Sequence, residues 1–312
     1  MTVCVIIAAR DAADTIGRAI GSALDQSPVT EVLLVDDGSK DGTAEAAFAA
    51  AGGDPRLRIE RHAASLGPAA ARNRALRLCR SEWLTPLDAD DFFLPGRIAG
   101  LLEAAADCDF VADDLLVAPD GREGGPYERL LAAGPMPRML RLSDFVLGNL
   151  TDPARPRHEM GFLKPLIRRA FLDEHALSYD ETLRLGEDYV LYATALAKGA
   201  RFRLAPAQGY VAVHRAGSLS ASHGTEDLRA LSAACERLTR VPSLEPEERA
   251  ALRRHLTQVR RRLRLREFLD LKRSRGWAHA AAFAGAAPQD LPYLVGRLAA
   301  DRLKPPFSTR SK

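Results

Sequence analysis

Residues 32–51 read VLLVDDGSKDGTAEAAFAAA. The first four are apolar and short enough in run to form a buried strand. They stop at DDGSKDGT, a cluster of turn and cap residues. Residues 44–51 then form helix readily, being mostly alanine. The same strand–turn–helix phrase recurs on both sides. Upstream, residues 3–8 read as a strand and 11–24 as a helix, with Ile16, Ile20 and Leu24 four apart. Downstream come a strand at 57–59 and a helix at 68–80 entered through Gly67-Pro68, proline suiting a first turn. A strand at 83–87 is halted by DADD, a helix is expected at 94–106, and a strand at 110–112. Strict alternation at short spacing predicts an α/β fold, a mostly parallel central sheet flanked by helices. Ligands of such sheets sit outside the carboxyl ends of the strands. The residues to watch are therefore 8–11, 36–39, 62–67 and 88–91.

Beyond residue 119 the pattern changes. Residues 119–165 carry seven prolines and little periodicity, and read as irregular and acceptor-facing. Helix returns at 187–198, with strands near 201–204 and 209–214. Residues 247–275 read as one long basic helix or a pair, 290–300 as a short helix, and 304–312 as a frayed tail. The expected division is a catalytic domain over 1–240 and a basic helical C-terminal appendage over 241–312.

Charge supports that division. Residues 1–240 hold 28 basic and 34 acidic side chains, whereas 241–312 hold 16 basic and 7 acidic. The 46% hydrophobic content of the 312 residues allows a sizeable core and excludes a disordered chain. No stretch reaches the ~20 apolar residues of a membrane span, and the first residues do not read as a secretory leader. Cys4, Cys79, Cys108 and Cys235 have no zinc or redox spacing and read as buried free thiols of a reducing cytoplasm.

Several positions carry chemistry. Asp88, Asp90 and Asp91 follow a buried strand. Their mutual repulsion would be relieved by a divalent cation such as Mg²⁺ or Mn²⁺ bridging to phosphates, or the group could simply cap the next helix. Asp36 and Asp37 either shape a turn or accept hydrogen bonds from a base or ribose. Arg72, near a helix start, can pair with a phosphate; a solvated arginine is the plainer alternative. Glu187 and Asp188 suit a helix N-terminus electrostatically, and either could serve as general base toward a hydroxyl. His214 ends a strand as a metal or diphosphate contact, or as a lone histidine.

The order VDDGSKDGT, GPAAARN, LDADDFFLPGRI and, some hundred residues on, GED resembles the family 2 glycosyltransferases of GT-A fold over residues 2–220. VCVIIAARDAADTIGRAIGSAL and LDADDFFLPGR are most similar to the glucosyltransferases of succinoglycan-type bacterial exopolysaccharide synthesis. The resemblance implies that Asp36 and Asp37 bind the uracil and ribose side of a nucleotide sugar. Ala8, Arg10, Arg72, Asp88 and Ala89 would complete that site. Asp88 and Asp90 match the DxD motif, with Asp90 the main metal ligand and Asp88 and His214 near it. Asp188 would be the base, with Glu187 in support. The family aromatic after the first strand is missing, so Arg10 would stack on the base through its guanidinium plane.

The implied activity is inverting transfer of glucose from UDP-glucose onto a growing, lipid-linked oligosaccharide, forming a β-linkage. A single displacement assisted by one base inverts the anomeric centre, and Mg²⁺ or Mn²⁺ would stabilise the departing diphosphate. The enzyme would be cytoplasmic, with no nucleic-acid partner. The stripe Leu252, Leu256, Val259 and Leu263 on the basic segment 249–275 could lie on the inner face of the inner membrane, or pack on the catalytic domain. Rival readings are a glycoside hydrolase using a carboxylate pair and a non-catalytic nucleotide-binding module.

Overall fold

The computed structural model describes residues 1–119, 124–131, 136–151, 160–214 and 224–303. The first half follows the alternation. Strands β1 (Val3–Ala9), β2 (Val29–Asp36), β3 (Leu57–Arg61) and β4 (Trp83–Asp88) run parallel, in the order β3-β2-β1-β4. Helices α1 (Ala13–Leu24), α2 (Thr43–Ala51) and α3 (Pro68–Leu78) make the crossovers. β1, β4 and β2 from Val32 on are buried, which is why they read as continuous apolar runs, whereas the edge strand β3 is partly exposed.

The helix expected at 94–106 is shorter. Phe92–Phe93 forms a strand, β5, and Leu94 N–H donates to the Gly209 carbonyl at 2.7 Å, so α4 begins only at Arg97 and ends at Glu103. Strand β6 (Phe110–Asp113) rejoins the large sheet.

The proline-rich segment is more ordered than expected where it is described. It contains strands β7 (Leu116–Pro119), β8 (Glu128–Arg129) and β9 (Arg138–Leu140), helix α5 (Leu142–Gly148) and a tight turn at Met160–Phe162. Short apolar anchors, Leu140, Leu142, Phe145 and Val146, order it by burial. Strand β10 (Leu166–Arg168) then runs antiparallel between β4 and β6, followed by helices α6 (Arg169–Glu174) and α7 (Glu187–Ala197). Strand β11 (Phe202–Ala205) lies between β6 and β9 and completes eight strands. Strand β12 (Tyr210–His214) instead joins β5, β7 and β8 in a second, four-stranded sheet.

Helices α8 (Thr225–Thr239) and α9 (Pro246–Arg275) close the molecule. α9 is one helix of 30 residues, with proline in its first turn and Glu248 accepting from the Glu245 N–H at 3.0 Å. Its stripe packs at home. Leu252, Leu256 and Val259 are buried in the same core as β1, whereas Leu263 is half-buried. The core therefore runs through the 240/241 boundary. Only the far half of α9 stands apart, where Phe268 meets Ala280 and Ala284 of α10 (Trp277–Gly285) and Leu294 of α11 (Leu291–Leu303). No helix among the described residues is long and apolar enough to cross a membrane. All four cysteines are buried and free. The tail at 304–312 lies outside the described residues.

Candidate active site

Sheet register lines up the site. Arg61 of β3 is opposite Asp36 of β2, Asp36 is opposite Ala9 of β1, and Ala8 is opposite Asp88 of β4. With strands ~4.8 Å apart, Asp36 and Asp88 stand about 10 Å from one another along one edge. Ala8 keeps the space between them open.

At the β2 end the loop is held by its own carboxylates. Asp37 accepts four hydrogen bonds: His62 Nδ1 and Leu66 N on Oδ1, both at 2.8 Å, and Ser65 Oγ at 2.7 Å and Gly67 N at 2.9 Å on Oδ2. Burial works against its ionisation, but these donors outweigh it and lower its pKa. Gly38 has φ 72°, and a Cβ there would come within 2.9 Å of the Ala64 carbonyl carbon, so only glycine lets the 62–67 loop lie this close. Asp36 accepts from Ser39 N at 2.8 Å and faces Arg61 Nε at 3.2 Å. Asp37 was expected to touch the nucleotide. A carboxylate has about four lone-pair sites, and the four hydrogen bonds of Asp37 here hold the loop that forms the wall. The wall bounds an open cavity of about 560 Å³ lined by Arg10, Lys40 and Arg61 among others. Arg10 Nη1 is fixed on Ser65 Oγ at 3.0 Å, where the stacking group was expected.

At the β4 end, charges from distant segments meet. Arg72 Nη2 lies 2.8 Å from Asp88 Oδ1, and Nη1 lies 2.6 Å from Glu187 Oε1 and 3.8 Å from Asp188 Oδ1. Lys164 Nζ lies 2.9 Å from Asp88 Oδ2 and 2.8 Å from Asp188 Oδ2. Burial disfavours ionised Asp88, but Lys164 and Arg72 prevail and hold its carboxyl well below the usual range. Likewise, burial works against the Lys164 charge, and Asp188 and Asp88 keep it protonated far above neutral pH. Arg72 and its neighbours divide their work: Asn73 fastens Tyr179 and Glu181, and Arg74 pairs with Glu60. Gly186, at φ 73°, turns the chain so that Glu187 and Asp188 enter the site at the start of α7.

The second sheet aims the DADD turn. Tyr210 Oη donates to Asp91 Oδ2 at 2.8 Å and accepts from Asp88 N at 3.2 Å, while Val213 N donates to Asp91 Oδ1 at 2.8 Å. Burial, with Asp88 and Asp90 nearby, pushes the Asp91 carboxyl up to about 8. Repulsion among the aspartates is thus answered in part by Arg72 and Lys164, and burial shifts the Asp91 carboxyl toward its neutral form. The expected metal set was Asp90 with Asp88 and His214. Asp88 spends both oxygens on protein cations, and His214 is exposed at the end of β12. No group of three or more metal-ligating side chains forms among the described residues. The donor set fits a cation that takes most of its ligands from a substrate's phosphates, with Asp90, part-exposed at the strand end, as the protein carboxylate.

Comparison with known proteins fits this geometry. A family model described as "Glycosyl transferase family 2" matches residues 4–173. The chain belongs to glycosyltransferase family 2. This family 2 member is 46% identical over 300 residues to the "Succinoglycan biosynthesis protein ExoU" of Rhizobium meliloti (strain 1021), covering 96% of this chain and 87% of that protein. It is 36% identical to ExoO of the same organism, covering 95% and 84%. Among solved structures, S. aureus TarS 1–349 in complex with UDP-GlcNAc superposes with a TM-score of 0.62 at 16% identity, covering 93% of this chain and 92% of that one. The mannosyltransferase PcManGT of Pyrobaculum calidifontis, with GDP-Man and Mn²⁺, gives 0.59 at 20% identity, covering 97% and 81%. At those identities the likeness is one of fold, and it makes this glycosyltransferase a GT-A-type α/β protein.

Lys164, the ammonium at the centre of the family 2 site, was not anticipated from sequence. The signal available was a lone lysine in the apolar run FLKPLI, because a charge in such a run is buried only when paired. Tyr210 was missed for a similar reason: it acts from a strand, near 209–214, to which the sequence alone attached no chemistry except at His214.

Proposed function

We propose that the protein moves glucose from UDP-glucose to a growing, lipid-linked exopolysaccharide oligosaccharide of succinoglycan type, with inversion to a β-linkage. The observation carrying this is the meeting of Asp88, Glu187 and Asp188 on Arg72 and Lys164 at the strand ends, beside a basic cavity. The relatives named for succinoglycan biosynthesis supply the polymer class.

In this reading the nucleotide lies over β2, with Arg10 against the base, Asp36 toward base and ribose, and Arg72 on the nucleotide. Asp88, about two strands away, faces the ribose or sugar. Asp90 would hold Mg²⁺ or Mn²⁺ together with the donor phosphates. Bound there, the cation would supply charge stabilisation for the leaving diphosphate. Asp188 takes the proton of the attacking hydroxyl, and Glu187, held by Arg72, borders the acceptor. Small side chains at Ala8 and Ala89 leave room for the donor. The hydrolase alternative gains nothing here, since the Lys164 ammonium fills the space between Asp88 and Asp188 where a sugar would have to sit.

We place the enzyme in the cytoplasm, where its donor is made available to lipid-linked acceptors. Because its stripe is buried, any contact of 249–275 with the inner membrane face would rest on exposed arginines such as Arg253 and Arg261. A donor panel with Mg²⁺ or Mn²⁺, read by released nucleoside diphosphate, tests the proposal. UDP release from UDP-glucose above all other donors is expected; release from a different donor alone overturns the glucose assignment.

A further inference from the structure

The two oxygens of Asp188 are not equivalent. Oδ2 accepts from Lys164 Nζ at 2.8 Å. Oδ1 is buried yet accepts no hydrogen bond, with Arg72 Nη1 3.8 Å away. The side chain as a whole is only 9% exposed. A buried acceptor left open is costly in the resting protein. It makes sense where a donor arrives with the substrate. Lys164 in turn is rigidly placed. Its ammonium also holds Asp88 Oδ2 at 2.9 Å, and its carbonyl accepts from Arg97 Nη2 at 2.6 Å. Arg97 is fully buried, paired with Asp113 at 2.7 Å and covered by the rings of Phe93 and Tyr210. The ammonium therefore has a fixed address set by the core.

We propose that Lys164 is a positioning residue of the transfer step. It pins Asp188 through Oδ2, so that Oδ1 is the oxygen receiving the acceptor hydroxyl's proton. This rests on the reading of Asp188 as the base. The hydroxyl proton passes to Oδ1 while the hydroxyl oxygen bonds to the anomeric carbon. The bond from that carbon to the diphosphate oxygen breaks, and its electron pair leaves with the diphosphate. Because one ammonium holds both Asp88 and Asp188, the base is registered to the donor side of the site.

A double-mutant cycle on the full chain tests this, using UDP-glucose, Mn²⁺ and water as acceptor, with UDP release giving kcat and calorimetry giving UDP affinity. Asp188→Asn should lower kcat by about 100-fold or more. Lys164→Met should lower it at least about 10-fold, yet cost under about 2-fold in the Asp188→Asn background, as expected of residues acting as one unit. UDP affinity should stay within about 3-fold throughout. If Lys164→Met alone does not fold, the double variant, which removes one charge of each sign, is compared with Asp188→Asn. Lys164→Arg, which keeps the charge but not its point geometry, should also lose kcat at unchanged UDP affinity. Equal losses in both backgrounds, or full activity of Lys164→Arg, would overturn the proposal while leaving Asp188 as base. Normal turnover of Asp188→Asn, or no UDP release by the wild type, would overturn the underlying reading as well.

Discussion

The ends of β2 and β4 carry similar-looking acidic motifs, VDDGS and LDADD, yet their carboxylates live differently. At β2, Asp37 is closed off by four donors of one nearby loop, two of them backbone amides. At β4, Asp88 is shared between two cations brought from α3 and from the segment before β10. A carboxylate sealed by a neighbouring loop makes a frame. A carboxylate balanced by side-chain charges from other segments makes a site, because an incoming phosphate or cation can compete for the pairing. The partners of an aspartate, rather than its motif, separate scaffold from chemistry.

The sharpest way to break this contrast is at the β4 end. Asp188→Asn should cut transfer by ~10²–10⁴-fold while UDP binding survives. A variant that transfers normally would reassign the base. Next in size, Asp90→Asn or treatment with EDTA should lower turnover by about two orders of magnitude, in line with loss of a major electrostatic stabiliser, while the thermal melting temperature hardly moves. Full activity in EDTA would remove the cation from the scheme.

At the β2 end the same kind of change should act on stability. Asp37→Asn puts an amide against four donors and should cost about 1–3 kcal/mol in urea unfolding, with a much smaller effect on kcat than Asp188→Asn. The sign with pH follows from its lowered pKa. The folded protein releases this proton more readily than the unfolded chain. The stabilisation is therefore present above about pH 4 and is lost as pH falls below it. Wild type and Asp37→Asn should converge in stability over the acid range, as pH falls through the lowered folded pKa. A constant gap across that range would contradict the loop-fastening role. The smallest effect concerns the basic helix. With Leu252, Leu256 and Val259 buried, co-sedimentation with anionic vesicles should be weak, should vanish in high salt, and should fall further in Arg253→Gln/Arg261→Gln. Binding that resists salt would mean that an apolar surface other than this stripe enters the lipid.

Much of the frame was legible. The four parallel strands and the loops that follow them came from alternation of strand-like runs with polar turns; in β1, β2 and β4 burial writes itself as a continuous apolar stretch, whereas β3 at the sheet edge shows only Leu57 and Ile59. Asp36, Asp88, Glu187 and Asp188 stood out because their strand-end or helix-start positions are local features. What failed to show were long-range partnerships. Lys164 is 76 residues from Asp88 in sequence, within a proline-rich stretch whose pattern has no period. The second sheet is assembled from strands of two to five residues drawn from four separate places, too short for any periodicity to register. The carboxylate repulsion at β4 was read correctly as a force, but its answer lay in cations the local sequence does not contain.

The buried stripe of α9 has a consequence for how the protein is made. Val3 and Val259 belong to one core, so the first strand emerges long before the last side chains that cover the core exist. At a synthesis rate of ~5–20 residues per second, the interval is roughly 13–50 s. Until α9 is made, the faces of α5 and α8 that it packs against are uncovered. A nascent chain in this condition exposes apolar surface of the kind that holding chaperones bind, and a slower ribosome lengthens its exposure.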